Sequence, residues 1–130
     1  ALPEMVAAAR KQYPVASVSF RALTSYDEIQ TADYAVASGI FNVRNSSSDE
    51  TWLSYILTTL HAMNESSTRG FSFNALTSYS DHDRMRPELY YSDPLFLFDY
   101  CKKNFSRNVA LLHDYGIFDF TILVRKAVAA

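Results

Sequence analysis

Two short runs of the sequence combine imidazole and carboxylate side chains, which are the groups that bind divalent cations. The runs are Asp81-His82-Asp83 and His113-Asp114, and hydrolases hold zinc with such ligands. Adjacent residues on an extended chain point in opposite directions, and neither run has two ligands spaced to share one face of a helix. We therefore interpret the first run as a solvated charged loop and expect no metal site. Metal-dependent hydrolysis at these residues is the weakest of three functional hypotheses.

The remaining reactive groups lack catalytic spacing. Cys101 is the single cysteine, and it lies in a predicted helix with no histidine one turn away, so we expect it to pack in the core. The chain has no G-x-S-x-G, P-loop or G-x-G-x-x-G sequence, and its three glycines cannot form a glycine-rich turn around a phosphate. No residue is assigned as catalytic.

Tyrosines follow the ends of the predicted strands. Tyr79 follows one strand, Tyr90-Tyr91 lies in the next loop, and Tyr115 ends a later strand. Phenol rings in such places can stack on a flat ligand and form hydrogen bonds with it. Ordinary packing is the alternative, because the chain has nine tyrosines.

One apolar stretch is expected to position these residues. Ala32 to Ser38 is short, apolar and prone to form a strand, which predicts a strand covered on both faces. It ends at Ser38-Gly39, where small side chains let another group approach the backbone. Ligands of open α/β sheets bind at the carboxyl ends of central strands, so a site is expected around Ser38 to Asn42. A buried strand that ends in an ordinary turn is the alternative.

The other elements follow from hydrophobic periodicity and from helix and turn signals. They are a helix over Leu2–Lys11, a strand over Val15–Leu23, a loop or short helical turn over Thr24–Thr31, a helix that begins at a Ser47–Glu50 capping box and closes at Asn64–Gly70, a strand over Phe71–Thr77, a helix over Pro94–Phe105, a hairpin of Asn108–Tyr115 with Asp119–Lys126, and a frayed tail over Ala127–Ala130. Parallel crossovers that end in an antiparallel pair predict a mixed-sheet α/β fold.

Composition narrows the class of protein. The 130 residues are expected to form one domain, and 48% hydrophobic residues exclude disorder. No apolar run is long enough for a membrane span. Twelve basic against fourteen acidic residues, without a basic stripe, give no indication of a nucleic-acid partner. A single cysteine and no secretory signal pattern predict a cytoplasmic protein.

Five stretches resemble one bacterial subgroup of class I S-adenosylmethionine-dependent methyltransferases. They are Tyr34–Val43, Phe73–Ser80, Leu89–Pro94, Phe98–Cys101 and Leu111–Lys126. The resemblance implies a Rossmann-like sheet with a reversed final hairpin. It also implies S-adenosylmethionine as cofactor and a small-molecule methyl acceptor, which the sequence does not identify.

The resemblance covers the third to seventh strands of that family. The family's glycine-rich turn and ribose-binding acid would precede Ala1, so the fold is expected to be incomplete at its N-terminal side. Contacts to adenine and to the methionine end of the cofactor carry over to Leu23, Thr24, Ala37, Ser38, Gly39 and Ile40. Candidate substrate-binding residues are Asn42, Tyr79, Tyr90, Tyr91 and Tyr115. No catalytic base carries over, because methyl transfer depends mainly on the alignment of donor and acceptor.

The leading hypothesis is therefore a methyltransferase, present as a fragment or a truncated copy. The longer parent is expected to be the enzyme. The 130-residue chain alone is expected to be inactive and to bind S-adenosylmethionine at millimolar affinity or not measurably. The alternative is a non-catalytic α/β interaction module that assembles through an exposed sheet edge. If the first two strands of the family are absent, the Ala32–Ser38 strand has an unpaired edge, which predicts a homo-oligomer.

Overall fold

The computed structural model describes residues 3–126, which divide after Gln30 into two compact units. The predicted helix start at Leu2 and the predicted tail over Ala127–Ala130 lie outside the described residues. That residues 1–130 form one domain stays a prediction. None of the helices that the structure describes is long and apolar enough to span a bilayer.

The first unit contains one α-helix, α1 (Pro3–Gln12), where the sequence predicts it. An acidic residue in its first turn and basic residues in its last turn both stabilise the helix dipole. A 3₁₀ turn at Tyr26–Glu28 confirms the short helical turn expected within Thr24–Thr31.

The strand predicted over Val15–Leu23 is wrong. The Val18 N–H donates to the Val15 carbonyl at 3.0 Å, which closes a turn, and the chain then continues without a partner strand. The Arg10 guanidinium donates to the Phe20 carbonyl, at 2.7 Å from one of its nitrogens. Alternating apolar residues form a strand where a neighbouring strand completes the backbone hydrogen bonds, and residues 3–30 contain no such neighbour.

The second unit is built on a four-stranded sheet with the order β1-β2-β4-β3. The strands are β1 (Ala32–Ala37), β2 (Ser67–Leu76), β3 (Asn108–Leu112) and β4 (Asp119–Arg125). Strands β1 and β2 are parallel, and β4 is antiparallel to both β2 and β3. The mixed α/β sheet and its antiparallel β3–β4 pair are thus confirmed.

Two helices, α2 (Asp49–Ser66) and α3 (Pro94–Asn104), pack on this sheet. Helix α2 contacts β1 and β2, while α3 contacts β3 and β4. Between helices and sheet lies the apolar core, which includes Phe41, Ile56, Leu60, Phe73, Leu97, Phe120 and Ile122. Asp93 caps α3 by accepting the Leu95 N–H at 3.0 Å, as the Asp93-Pro94 pair predicts.

Both ends of α2 differ from the prediction. The N-cap is Ser48, whose hydroxyl accepts the Thr51 N–H at 3.2 Å, and not Ser47 of the predicted capping box. The turn predicted at Asn64–Gly70 is wrong, because β2 begins directly after the helix. The buried Ser67 hydroxyl donates to the Met63 carbonyl at 2.7 Å and so completes a hydrogen bond at the helix end without a loop.

One face of the sheet is covered by α2 and α3, and the other is more open. Val36 on the open face is 76% exposed, so the prediction that β1 is covered on both faces is wrong. Along this face, register and alternation place Val36, Ser72, Leu123 and Ala110 in one row, with Asn74 and Thr121 in the next row toward the carboxyl end of β2.

Candidate functional site

The carboxyl end of β1 turns at Gly39, which has a positive φ of 75°. The Gly39 N–H donates to Oδ1 of Asn74 at 2.8 Å, and Nδ2 of Asn74 donates to the Ser38 hydroxyl at 3.0 Å. One side chain from β2 therefore holds two successive residues of the turn. Asn74 is not among the site residues predicted from the sequence. Its signal is a single amide side chain between the apolar residues Phe73 and Ala75.

Open space lies next to this turn. A Cβ built on Gly39 would have no heavy atom within 4 Å beyond its chain neighbours. Of the other residues assigned to the cofactor, Ala37 is buried, while Ser38 and Ile40 are exposed. Ser38, Gly39 and Ile40 thus offer a hydroxyl, an unobstructed backbone and an apolar surface to a ligand.

The remaining two cofactor candidates, Leu23 and Thr24, belong to the first unit. Leu23 is exposed. The backbone N–H and the hydroxyl of Thr24 both donate to the Glu28 carboxylate, at 2.8 and 2.9 Å. The hydrogen bond from the Thr24 backbone, followed by that from its hydroxyl, lowers the pKa of Glu28.

Asn42 and Tyr90, two of the substrate candidates, meet beyond the turn. The Asn42 carbonyl accepts the Tyr90 N–H at 2.8 Å, and Oδ1 of Asn42 accepts the Leu76 N–H at 3.1 Å. The guanidinium carbon of Arg44 lies 5.8 Å from the centre of the Tyr90 ring. Burial raises the pKa of the Tyr90 phenol, and nearby Arg44 opposes that shift. The Asn42 Nδ2 group has no hydrogen-bond partner among residues 3–126, so it is available to a ligand.

A third group of polar residues joins the ends of β2 and β3. Nε2 of His113 lies 2.7 Å from the Thr77 hydroxyl oxygen, which also accepts the Tyr79 N–H at 3.1 Å. The imidazole stacks on Phe120 at 6.0 Å, and the Tyr79 ring stands nearly perpendicular to it at 5.6 Å. Of these residues, only Tyr79 is predicted from the sequence to contact an organic ligand. Thr77 and His113 lie 36 positions apart in the sequence, so spacing alone gives no signal of their contact.

The last two substrate candidates, Tyr91 and Tyr115, form hydrogen bonds with residues outside these groups. The Tyr91 hydroxyl accepts the Arg86 N–H at 2.9 Å. The Tyr115 hydroxyl lies 2.8 Å from the hydroxyl of Thr121, a residue of the open face. Tyr115 therefore adjoins the row that contains Asn74, the register partner of Thr121.

Among the residues considered for metal binding or nucleophilic chemistry, His82 and Cys101 belong to none of these groups. His82 begins an exposed 3₁₀ turn that ends at Arg84. Within residues 3–126, no group of three or more His, Cys, Asp or Glu side chains is placed to hold a metal ion. Cys101 is completely buried in α3, and burial raises the pKa of its thiol to about 12.

The fold and the turn together define an α/β protein with a ligand-accessible turn at the carboxyl end of a parallel strand pair. Comparison with known proteins shows that the chain belongs to a methyltransferase family. It is 56% identical over 126 residues to a protein of Mycobacterium tuberculosis (strain ATCC 25618 / H37Rv) named "Putative methyltransferase Rv1506c". The aligned region covers 96% of this chain and 75% of that relative. No family model matches the chain. No solved structure matches it either.

Proposed function

We propose that this protein is a class I S-adenosylmethionine-dependent methyltransferase whose Ser38–Ile40 turn contacts the cofactor. The observation that carries the proposal is the turn itself. It lies at the carboxyl end of β1, it is fixed by Asn74, and it leaves open space at Gly39. Ligands of α/β sheets bind at this edge, and the related protein is named as a methyltransferase.

The residues of the turn fit such a cofactor. A side chain at Gly39 would fill the space that a cofactor needs, and the Ser38 hydroxyl can exchange hydrogen bonds with its polar end. Ile40 is 44% exposed and offers apolar surface for an adenine ring. When bound, S-adenosylmethionine supplies a methyl group made electrophilic by its sulfonium. The reversed strand β4, between β2 and β3, supports the class I fold.

The chain's own contribution to catalysis is orientation. Asn74 keeps the turn in one conformation, so that little freedom is lost when a ligand binds. The free Nδ2 group of Asn42 can donate to a methyl acceptor, next to the half-buried ring of Tyr90. Leu23, Thr24, Tyr91 and Tyr115 stay predictions as ligand contacts, and so does the cytoplasmic location.

Amide chemical shifts of the ¹⁵N-labelled 130-residue chain test the proposal. With only three glycines, the chain has no glycine-rich phosphate turn, so its affinity is expected to be millimolar or too weak to measure. A turn that contacts the cofactor requires the millimolar value. At about 10 mM S-adenosylmethionine a site of this strength is largely filled, and the amides of residues 38–41 should shift. Gly39→Asn should reduce these shifts at least severalfold, because asparagine tolerates a positive φ but occupies the open space.

Gly116→Asn provides the matched control. A Cβ at Gly116 also meets no heavy atom within 4 Å, but this glycine lies in the β3–β4 connection and should leave the cofactor shifts unchanged. Shifts at Ser38 to Phe41 that survive Gly39→Asn, or an absence of shifts there in the parent chain, would contradict the assignment.

A non-catalytic interaction module is the second candidate function. The observation in its favour is the position of β1, which lies at the edge of the four-stranded sheet and carries Val36 with 76% exposure. Unpaired backbone groups at such an edge can recruit another strand. Association without cofactor shifts would favour this module over the enzyme.

A further inference from the structure

His113 has one ring nitrogen engaged and one free. Nε2 contacts the Thr77 hydroxyl at 2.7 Å, while Nδ1 has no hydrogen-bond partner among residues 3–126. The ring is held between Phe120 and Tyr79. It is partly exposed, so a ligand can reach it.

The hydrogen bonds of Thr77 decide which nitrogen carries the proton. Thr77 is 1% exposed, so its hydroxyl must find its partners within the protein. The hydroxyl oxygen already accepts the Tyr79 N–H at 3.1 Å. Within the described part of the chain, Nε2 of His113 is the one acceptor in reach of the hydroxyl proton.

If Nε2 carried the proton, the Thr77 hydroxyl would accept two hydrogen bonds and its own proton would stay buried without an acceptor. If Nε2 is unprotonated, the Thr77 O–H donates to it and every group is satisfied. The second arrangement is therefore favoured, and it places the proton of the neutral ring on Nδ1. In this form His113 is a hydrogen-bond donor at Nδ1 and has no free basic nitrogen there.

We propose that His113 binds the methyl acceptor by donating its Nδ1–H to a hydroxyl oxygen, and that it is not the base that deprotonates the acceptor. This proposal rests on the proposed methyltransferase function. Tyr79, which is 64% exposed, supplies an aromatic surface beside the donor. The acceptor class is thus a ring that bears a hydroxyl group, either a phenol or a sugar, since both stack on aromatic side chains and offer an oxygen lone pair.

Nitrogen chemical shifts of ¹⁵N-histidine-labelled protein test the proton's position directly. In the parent chain at neutral pH, His113 should show a protonated Nδ1 and an unprotonated Nε2. Thr77→Val removes the hydroxyl with little change of shape, so the ring should shift toward the Nε2–H form that free imidazole side chains prefer. Thr77→Ser restores a hydroxyl and should restore the parent pattern. His61, whose Nε2 lies 2.7 Å from the Tyr100 hydroxyl, is an internal reference that should not change.

Binding of the acceptor class is tested with phenol and with methyl glucoside as separate probes. Either probe should shift the His113 Nδ1 resonance, and the one that binds identifies the ring. His113→Phe keeps an aromatic ring without the donor and should weaken binding about fivefold to tenfold. His61→Phe is the matched control and should leave the affinity unchanged.

An unprotonated Nδ1 in the parent chain would overturn the donor assignment, and failure of both probes to shift His113 would overturn the acceptor site. Neither measurement uses S-adenosylmethionine. A failure of the proposed function, seen as missing cofactor shifts at Ser38 to Phe41, is therefore distinguishable from a failure of this inference.

Discussion

Asn74 connects β2 to the turn that follows β1 through a single side chain, and the Ser38–Gly39 turn depends on it directly. Its amide oxygen and amide nitrogen bind different residues of the turn. A serine or threonine at this position could not reach both partners in the same way, because a hydroxyl is shorter and offers one proton. The geometry of the candidate cofactor turn therefore depends on the residue type at position 74.

Asn74→Ala should release the turn. Two hydrogen bonds are lost, at roughly 0.5–1.5 kcal/mol each, so the free energy of unfolding should fall by about 1–3 kcal/mol in urea denaturation. Hydrogen exchange at the Gly39 N–H should accelerate. Asn74→Asp is the control, since it keeps the acceptor for Gly39 and loses the donor to Ser38. Equal hydrogen-exchange rates at the Gly39 N–H in the parent and in Asn74→Ala would show that Asn74 does not hold the turn.

Cys101 makes stability depend on alkaline pH. Burial raises the pKa of its thiol from 9.0 to about 12. Because the folded pKa lies above the unfolded value, the stabilising contribution is complete below about pH 9 and is lost as the pH rises toward 12. Between about pH 8 and pH 10.5 the titration of this thiol alone should lower the free energy of unfolding by about 2 kcal/mol.

Cys101→Ala isolates the contribution of the thiol from those of other alkaline titrations. The variant should be less stable than the parent near pH 8, because it leaves a cavity, but its stability should fall less between about pH 8 and pH 10.5. Urea midpoints at the two pH values measure both effects. Parallel losses in the two proteins would show that the thiol is not the titrating group.

Strands β2 and β4 leave no room for a side chain at Gly70. A Cβ on this residue would lie 2.3 Å from the Val124 carbonyl oxygen and 3.3 Å from the Arg125 Cα. Both obstacles are backbone atoms of the neighbouring strand, so no side-chain movement can relieve the contact. The central strand pair of the sheet therefore requires glycine at this position.

Gly70→Ala should destabilise the protein by about 2–3 kcal/mol, since the two strands must separate locally to admit a methyl group. Gly116→Ala is the matched control: the added methyl group meets no heavy atom within 4 Å, and the free energy of unfolding should change by less than about 0.5 kcal/mol. Thermal and urea unfolding of the two variants give the comparison. Equal losses of stability in Gly70→Ala and Gly116→Ala would contradict the close approach of β2 and β4 at Gly70.

The sequence predicts elements well where local signals suffice. The Asp93 cap of α3 and the β3–β4 pair follow from neighbouring residues. The junction after α2 does not, because Ser67 satisfies the helix end with a side chain while already beginning β2. The strand expected over Val15–Leu23 does not form, for another reason. Alternating apolar and polar residues are compatible with a strand, but a strand also needs a neighbouring strand to pair with, which the local sequence cannot supply.

The residues of the candidate site show the same contrast between local signals, which the sequence reveals, and contacts between distant residues, which it does not reveal. The turn at Ser38-Gly39 is predictable from the sequence because small residues follow an apolar strand. Asn74 and the Thr77–His113 pair are not, because they lie 35 and 36 positions from their partners and meet through strand register. Register depends on which strands are neighbours, and a single sequence without its sheet order does not fix this.

The open edge of the sheet leads to a prediction about association. Among the described residues, β1 pairs on one side with β2, and its other side has no strand. Val36 on this strand is 76% exposed. An apolar strand with unpaired N–H and C=O groups recruits a second strand, so we expect the average mass in light scattering to rise above the monomer value as the protein concentration increases.

Val36→Lys should abolish this rise. A lysine on an edge strand is a common barrier to edge pairing, because association would bury its charge. The fold should tolerate the change within about 0.5 kcal/mol, since the position is already exposed. Ile117→Lys is the matched control, because Ile117 is 63% exposed in the β3–β4 connection and lies away from β1. It should associate like the parent chain. A monomeric parent at every concentration would refute association through β1, and association that survives Val36→Lys but not Ile117→Lys would move the interface to the β3–β4 connection.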